Sequence, residues 1–143
     1  MKYLNLIKLT FLNLMLFNLI GCINNNKSYD LDYLNGYWRI DYVTQNNEIF
    51  DIKDKNILLD YYYLKSNKGW KKKVRPLLNN RFETSADTIF LDVKYDENET
   101  SLHLNSKWDN WVETIVYLDS ISLVLKIKNR SHYYYKINPF LDE

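Results

Sequence analysis

Histidines, one cysteine and many carboxylates are the side chains of this sequence that could serve a catalytic or metal site. His103 and His132 are the only histidines, and neither has a cysteine or an acidic residue at the spacing of metal ligands. The sequence has no glycine-rich phosphate loop and no Gly-x-Ser-x-Gly nucleophile elbow. The 18 acidic residues leave a carboxylate pair for glycoside hydrolysis open, but no pattern singles one out. We therefore expect a protein without enzyme activity, metal site or cofactor.

The single cysteine, Cys22, follows a segment that is typical of a secretory leader. Lys2 and Lys8 accompany an apolar stretch over residues 9–20, which is too short and too interrupted for a transmembrane helix of about 20 residues. Leu-Ile-Gly-Cys at its end resembles the lipobox of bacterial lipoproteins. This resemblance implies that residues 1–21 are a cleaved signal peptide, and that Cys22 carries acyl chains such as palmitate on its thiol and new amino group. A buried helix, an uncleaved anchor and a free thiol remain the alternatives.

Residues 22–30 are interpreted as the lipidated cysteine and a polar, asparagine-rich tether. This segment lacks the acidic run that resembles a surface-export signal in Bacteroidetes lipoproteins. We therefore expect anchoring in the outer membrane through the lipid on Cys22, on the periplasmic face, with the cell surface as the alternative. Loss of Lys2 and Lys8 with the leader changes the formal charge from +1 to −1. This near-neutral charge argues against nucleic acid as a partner.

Residues 31–143 are predicted to form one all-β domain, because short stretches of alternating apolar and polar residues are separated by turn residues. In the first stretch, Trp38, Ile40 and Tyr42 are predicted to share one face, and Trp38 and Ile40 are expected in the barrel core. The sequence contains about nine such stretches and no clear helix. Only residues 108–118 also fit a helical stripe, and their β-branched side chains favour a strand. Regular strands with short turns predict a small antiparallel barrel or barrel-like sandwich.

Gly36-Tyr37-Trp38 at the start of the first strand is similar to the Gly-x-Trp pattern of lipocalins. With the lipobox and the tether, this motif makes residues 31–138 resemble the small lipocalin-like lipoproteins of Bacteroidetes. The resemblance implies an up-and-down barrel in which Trp38 plugs one end. It also implies that a basic residue near the last strand, either Arg130 or Lys136, packs over this tryptophan.

Aromatic and basic side chains form two further sets of candidates. Tyrosine and tryptophan combine an apolar face with a polar tip, so several of them are candidate contacts for a ligand or a protein partner, with core packing as the alternative: Tyr61, Tyr63, Trp70, Trp108, Trp111, Tyr133 and Tyr135. A predicted hairpin carries a basic patch that would face anionic headgroups or an acidic partner, or would only block edge pairing: Lys68, Lys71, Lys72, Lys73 and Arg75.

Two functions agree with these patterns. The first is a membrane-anchored, lipocalin-like module that binds a small apolar or amphipathic ligand in a barrel lined by Trp38, Ile40, Tyr61 and Leu91. The alternative is a non-catalytic accessory subunit of an outer-membrane protein complex, with a filled barrel that docks through its aromatic and basic surface. Cavity volume separates the two, because a binding module needs a pocket of roughly 300 Å³ or more.

Overall fold

A computed structural model of the chain describes residues 28–52, 58–78 and 81–139. It contains a 3-10 helix, Leu31–Leu34, and ten strands: β1 (Gly36–Gln45), β2 (Glu48–Asp51), β3 (Leu59–Lys65), β4 (Lys68–Leu77), β5 (Arg81–Thr84), β6 (Ile89–Tyr95), β7 (Thr100–Asn105), β8 (Asn110–Leu118), β9 (Ser122–Ile127) and β10 (Arg130–Ile137). The predicted signal peptide and Cys22 lie outside the described residues. Within those residues, no helix has the length and apolar character needed to span a bilayer.

Eight of the strands close into a barrel. They pair antiparallel in the order β1-β3-β4-β6-β7-β8-β9-β10, and β10 pairs back onto β1 from Tyr37↔Ile137 to Gln45↔Arg130. The short strands β2 and β5 lie outside this path, and each extends a free edge of a barrel strand, β1 and β4 respectively. The prediction of an all-β, antiparallel, up-and-down barrel is confirmed, with ten strands in the described part of the chain instead of about nine.

Trp38 and the 3-10 helix close one end of the barrel. Trp38 is fully buried, and its indole Nε1 donates a hydrogen bond to the carbonyl oxygen of Leu34 at 2.8 Å. Lys136 Nζ lies 4.9 Å from the centroid of the Trp38 ring and donates to the carbonyl oxygen of Tyr33 at 2.6 Å. Lys136 therefore occupies the position that the lipocalin resemblance gives to a basic residue, whereas Arg130 lies at the opposite end of β10.

Side chains of the barrel fill the half of its interior next to this closed end. Alternate residues of each strand point inward, and they form one buried cluster: Leu34, Trp38, Tyr62, Leu64, Leu91, Val93, Leu102, Leu104, Ile115, Leu118, Leu123, Leu125 and Tyr134. Ile40 packs against this cluster and is partly buried. Each fully buried leucine contributes about 1.5–3 kcal/mol.

Shifts in strand register change which side chains face inward. The pairing of β1 with β10 shifts between Ile40 and Tyr42, so that Val43 takes the inner face. Tyr42 instead stacks on Tyr133 outside the barrel, with 4.3 Å between the ring centroids. Strict alternation places Tyr42 on the same face as Trp38 and Ile40. This is wrong, because a bulge of one residue moves every following side chain to the other face. A similar shift follows Ile115 in β8.

Candidate functional site at the open end of the barrel

Buried charged side chains form the floor of the open end. Lys71 of β4 and Glu113 of β8 are 7% and 2% exposed, and Nζ of Lys71 lies 3.1 Å from Oε1 of Glu113. The same Nζ donates to the Tyr62 hydroxyl at 3.2 Å, and the Trp111 indole Nε1 donates to Oε1 of Glu113 at 2.8 Å. These bonds satisfy the ion pair, which a buried charge requires. They also fix the orientation of the Trp111 ring.

A second ion pair lies beside the first. Asp60 is opposite Lys73 in the β3–β4 ladder, as Tyr62 is opposite Lys71. Lys73 Nζ lies 2.8 Å from Oδ1 of Asp60. Asp60 is buried and Lys73 is exposed, so this pair extends from the floor towards solvent. The two pairs together carry no net charge.

Two tyrosine hydroxyls belong to the same layer. Burial raises the pKa of both Tyr62 and Tyr134, and the carboxylates of Glu113 and Asp60 raise these pKa values further. Both phenols therefore stay protonated near neutral pH, and each presents an O–H group that can donate a hydrogen bond.

His132 and Arg130 of β10 lie above the floor. Burial lowers the pKa of His132 below its ordinary value, and the nearby Glu113 carboxylate opposes part of this effect. The imidazole is therefore neutral at pH 7 and offers one donor and one acceptor. Arg130 Nε donates to Oε1 of Gln45 at 2.8 Å, which holds the guanidinium at the rim. The described residues contain no group of three His, Cys, Asp or Glu side chains that could hold a metal ion.

Two clefts open here, one on each side of the tip of the β9–β10 hairpin. The larger has a volume of about 630 Å³ and is lined by Asp109, Trp111, Ile127, Lys128, Asn129, Arg130 and His132. The smaller has a volume of about 410 Å³ and is lined by Val43, Gln45, Phe50, Arg130 and His132. The larger cleft exists because pairing between β8 and β9 begins only at Thr114↔Lys126. The first residues of β8, from Asn110, are therefore not paired with β9 at the open end. Both volumes lie in the range of small-molecule pockets, roughly 300–1,000 Å³.

A further cavity, of about 450 Å³, lies on the outer wall beside Tyr29 and Val116. It shares Lys128 with the larger cleft, but none of the buried charged residues lines it. We therefore place the candidate site at the open end, where the charged floor and the two clefts meet.

The five cations of the predicted basic patch do not share one surface. Alternate residues of a strand point to opposite sides of the barrel wall, so the set is divided: Lys71 and Lys73 point inward, Lys68 and Lys72 lie on the outer wall, and Arg75 lies towards the open end. Four of the five form ion pairs with carboxylates. The prediction of a single basic patch is wrong, because Lys71 and Lys73 face the interior and pair with Glu113 and Asp60.

The predicted aromatic contacts also fall on both sides of the wall. Trp111 faces the open end, whereas Trp108 is 77% exposed in the turn that precedes β8. The remaining five lie on the outer wall: Tyr61, Tyr63, Trp70, Tyr133 and Tyr135. The ring of Tyr61 lies 5.5 Å from that of Trp70. The expectation that Tyr61 lines the barrel is therefore wrong, and the adjacent Tyr62 takes that place.

The sequence patterns did not single out three residues of this layer: Asp60, Tyr62 and Tyr134. One signal was present for Glu113. It is two residues from both Trp111 and Ile115, so the three side chains share a face in a strand. A carboxylate on a buried face needs a cation. Nothing in the sequence identifies Lys71 as that cation, because the two residues are 42 positions apart.

Comparisons with known proteins give structural neighbours only. No protein-family model matches the chain, and no curated protein matches its sequence. The crystal structure of a lipocalin-like protein from Bacteroides uniformis ATCC 8492 is similar, with a TM-score of 0.45 and 15% identity, over 73% of this chain and 99% of that one. An uncharacterized protein from Bacteroides eggerthii DSM 20697 is similar with a TM-score of 0.44 and 10% identity, over 72% of this chain and 98% of that one.

Proposed function

We propose that the domain is a non-catalytic binding module that holds a small amphipathic molecule at the open end of its barrel. The observation that carries this proposal is the arrangement of Trp111 and His132, which line clefts of small-molecule size above a floor of buried polar groups. An oriented indole offers an apolar face, while the imidazole and the phenols offer hydrogen bonds. Ligand sites commonly combine apolar walls with a few fixed polar groups in this way.

The position of the site changes the ligand that we expect from the sequence. A long, purely apolar molecule along the barrel axis would compete with the buried leucine cluster. A compact molecule with one polar end fits better, because its apolar part can pack on Trp111, Ile127 or Phe50.

Fluorescence titration with the neutral probe N-phenyl-1-naphthylamine tests this proposal. We expect saturable binding that weakens at least tenfold in Trp111→Ala, because the variant removes the main apolar wall. Trp108→Ala is the matched control, since this exposed side chain lies only three residues away and outside the clefts. Thermal melts report whether each variant is folded. A further variant, Phe50→Ala on the exposed strand β2, tests the smaller cleft independently. Absence of probe binding, or equal binding by both tryptophan variants, would refute the proposal.

We also propose that a lipid on Cys22 anchors this module to the outer membrane, on its periplasmic face. The support is the lipobox-like sequence at the end of the leader. Two or more acyl chains on one residue are enough for stable anchoring. Detergent phase partitioning of the full-length protein expressed in a bacterial host tests this. The wild type should lose residues 1–21 and enter the detergent phase, and Cys22→Ala should keep its leader and incorporate no labelled palmitate. A variant that lacks residues 2–22 should stay in the aqueous phase.

An accessory subunit that docks on a membrane protein is the second candidate function. One observation favours it: aromatic rings pack side by side on the outer wall, with Tyr63 and Phe90 44% and 61% exposed and Trp70 between them. A mild-detergent pull-down from native membranes, repeated with Trp70→Ala, tests it. A stoichiometric membrane-protein partner that is lost in the variant would favour docking over ligand binding.

A further inference from the structure

Two cations at the rim of the open end form no ion pair with a carboxylate among the residues that the structure describes. Arg130 uses its Nε to bond the neutral amide of Gln45. Lys128 occupies the turn between β9 and β10, with a φ of +55°. In the described ranges, the four ion pairs all involve other residues, so neither cation is neutralised by a neighbouring acid.

The other described residues of the open end do not cancel this charge. The two ion pairs of the floor are internally neutral, and the half-buried His132 is uncharged at pH 7. Asp109 is the one acid among the residues that line the larger cleft, and Glu48 is opposite Gln45 on β2. Neither acid lies within ion-pair distance of the rim cations. The larger cleft therefore has two unpaired cations facing one acid.

We propose that the ligand is a small amphipathic anion, whose charged group binds Arg130 and Lys128 while its apolar part packs on Trp111 and Ile127. This inference rests on the proposed binding function and specifies the chemical class of the ligand. A guanidinium presents a planar fork of N–H donors that matches a carboxylate. The bond to Gln45 orients that fork before any ligand arrives, which reduces the entropy lost on binding.

Arg130 is well placed for this role because it lines both clefts. An anion at Arg130 is therefore within reach of either apolar wall, the one formed by Trp111 or the one formed by Phe50. The anion also stays above the floor, so it does not face the carboxylates of Glu113 and Asp60 directly. Each of these carboxylates forms an ion pair with a lysine, Glu113 with Lys71 and Asp60 with Lys73.

Three compounds with the same skeleton and different charge test the proposal: 2-naphthoate, 2-naphthalenemethanol and 2-naphthylmethylammonium. Their affinities are measured at pH 7 by displacement of N-phenyl-1-naphthylamine and by calorimetry. We expect 2-naphthoate to bind at least tenfold more tightly than the alcohol, and the ammonium compound to bind most weakly. Only the affinity for the anion should fall between 0.05 and 0.5 M NaCl, because salt screens exposed charges.

Arg130→Gln should weaken 2-naphthoate binding about tenfold and leave the affinity for the alcohol within about twofold. Lys94→Gln is the control, because this exposed lysine lies on the outer wall near the closed end of β6. Equal affinities for the three compounds, or a preference for the ammonium compound, would overturn the anion assignment while the probe still binds. If neither the neutral probe nor any of the three compounds binds, the binding function itself fails.

Discussion

Lys71 and Glu113 are buried together, and either charge would be costly to bury alone. Their separation is 3.1 Å, and Trp111 and Tyr62 satisfy their remaining hydrogen bonds. We expect Lys71→Met to lower the free energy of unfolding by about 3–5 kcal/mol, because the variant leaves a buried carboxylate without its cation. Urea unfolding followed by circular dichroism measures this loss.

Lys68→Met is the matched control for this prediction. Lys68 lies on the same strand, but its pair with Asp92 is exposed and 3.8 Å long, and such pairs contribute about 0–1 kcal/mol. The double variant Lys71→Met/Glu113→Gln should recover part of the loss, since glutamine can still accept the bond from Trp111. Equal losses in Lys71→Met and Lys68→Met would contradict our interpretation.

His132 should make the stability of the fold depend on pH. Burial lowers its pKa in the folded state, Glu113 raises it, and Lys71, Arg130 and Lys73 lower it. The unfolded chain therefore binds a proton more readily, with a pKa of about 6.5. This histidine then destabilises the fold progressively as the pH falls below that value, and it has no such effect above it.

Comparing urea midpoints at pH 8 and pH 5 isolates this contribution. Carboxylates also titrate in this range, so the informative quantity is the difference between the wild type and His132→Gln. We expect the wild type to lose more stability than the variant between the two pH values. Parallel losses would show that His132 does not titrate across the folding transition.

At this scale, the sequence predicts the types of the site residues better than their partners. Trp111 and Glu113 share a face in any strand, and this much is local information. The neighbours of Lys71 come from β3 and β8, so they depend on register across the barrel. A run of cations along one strand therefore looks like a surface patch until its opposing carboxylates are known.

Gly69 illustrates a constraint at the scale of the β3–β4 hairpin. A Cβ atom at this position would collide with the carbonyl oxygen of Tyr63 and would lie 2.9 Å from the Cα of Leu64. We expect Gly69→Ala to lower the free energy of unfolding by about 1–3 kcal/mol, the usual cost of overpacking. Ser66→Gly in the same hairpin is the control. It should be neutral or slightly stabilising, because Ser66 has a φ of +55°. Urea unfolding distinguishes the two, and a neutral Gly69→Ala would contradict the close packing.

Strand boundaries follow from the sequence more readily than strand register. Alternating residues and turn clusters predict β5 at residues 81–84, as the structure has it. The bulge after Ile40 has no comparable mark, because Tyr42 and Val43 both suit a strand on either face. The same limit explains why Tyr61 was expected inside and Tyr62 was not.

At the scale of the whole molecule, the barrel depends on pairing between its first and last strands. Period-2 alternation reports which segments are strands, but not whether the sheet closes. Closure of the sheet into a barrel was predicted only from the resemblance of the Gly-x-Trp motif to that of lipocalins. The structure gives it a physical reason, since Trp38 joins β1 to the 3-10 helix and to Lys136 at the closed end.

The way in which the chain enters the barrel predicts its orientation on a membrane. Tyr29 donates to the carbonyl oxygen of Val116 at 2.6 Å, near the closed end of β8. The seven residues from Cys22 to Tyr29 span at most about 25 Å, and a nine-residue strand such as β8 spans roughly 30 Å. With the proposed lipid on Cys22, the closed end should therefore lie nearer the bilayer, and the open end should face the aqueous phase.

Energy transfer from a protein-bound dye to an acceptor lipid tests this orientation. Glu97→Cys places a dye in the turn between β6 and β7 at the closed end, and Asn129→Cys places one in the turn at the open end. The acylated thiol of Cys22 would not react, so each variant carries a single label. In vesicles we expect stronger transfer from position 97 than from position 129, and no transfer from either position in variants that lack residues 2–22. Equal transfer from the two positions would contradict a preferred orientation, and stronger transfer from position 129 would place the binding site against the bilayer.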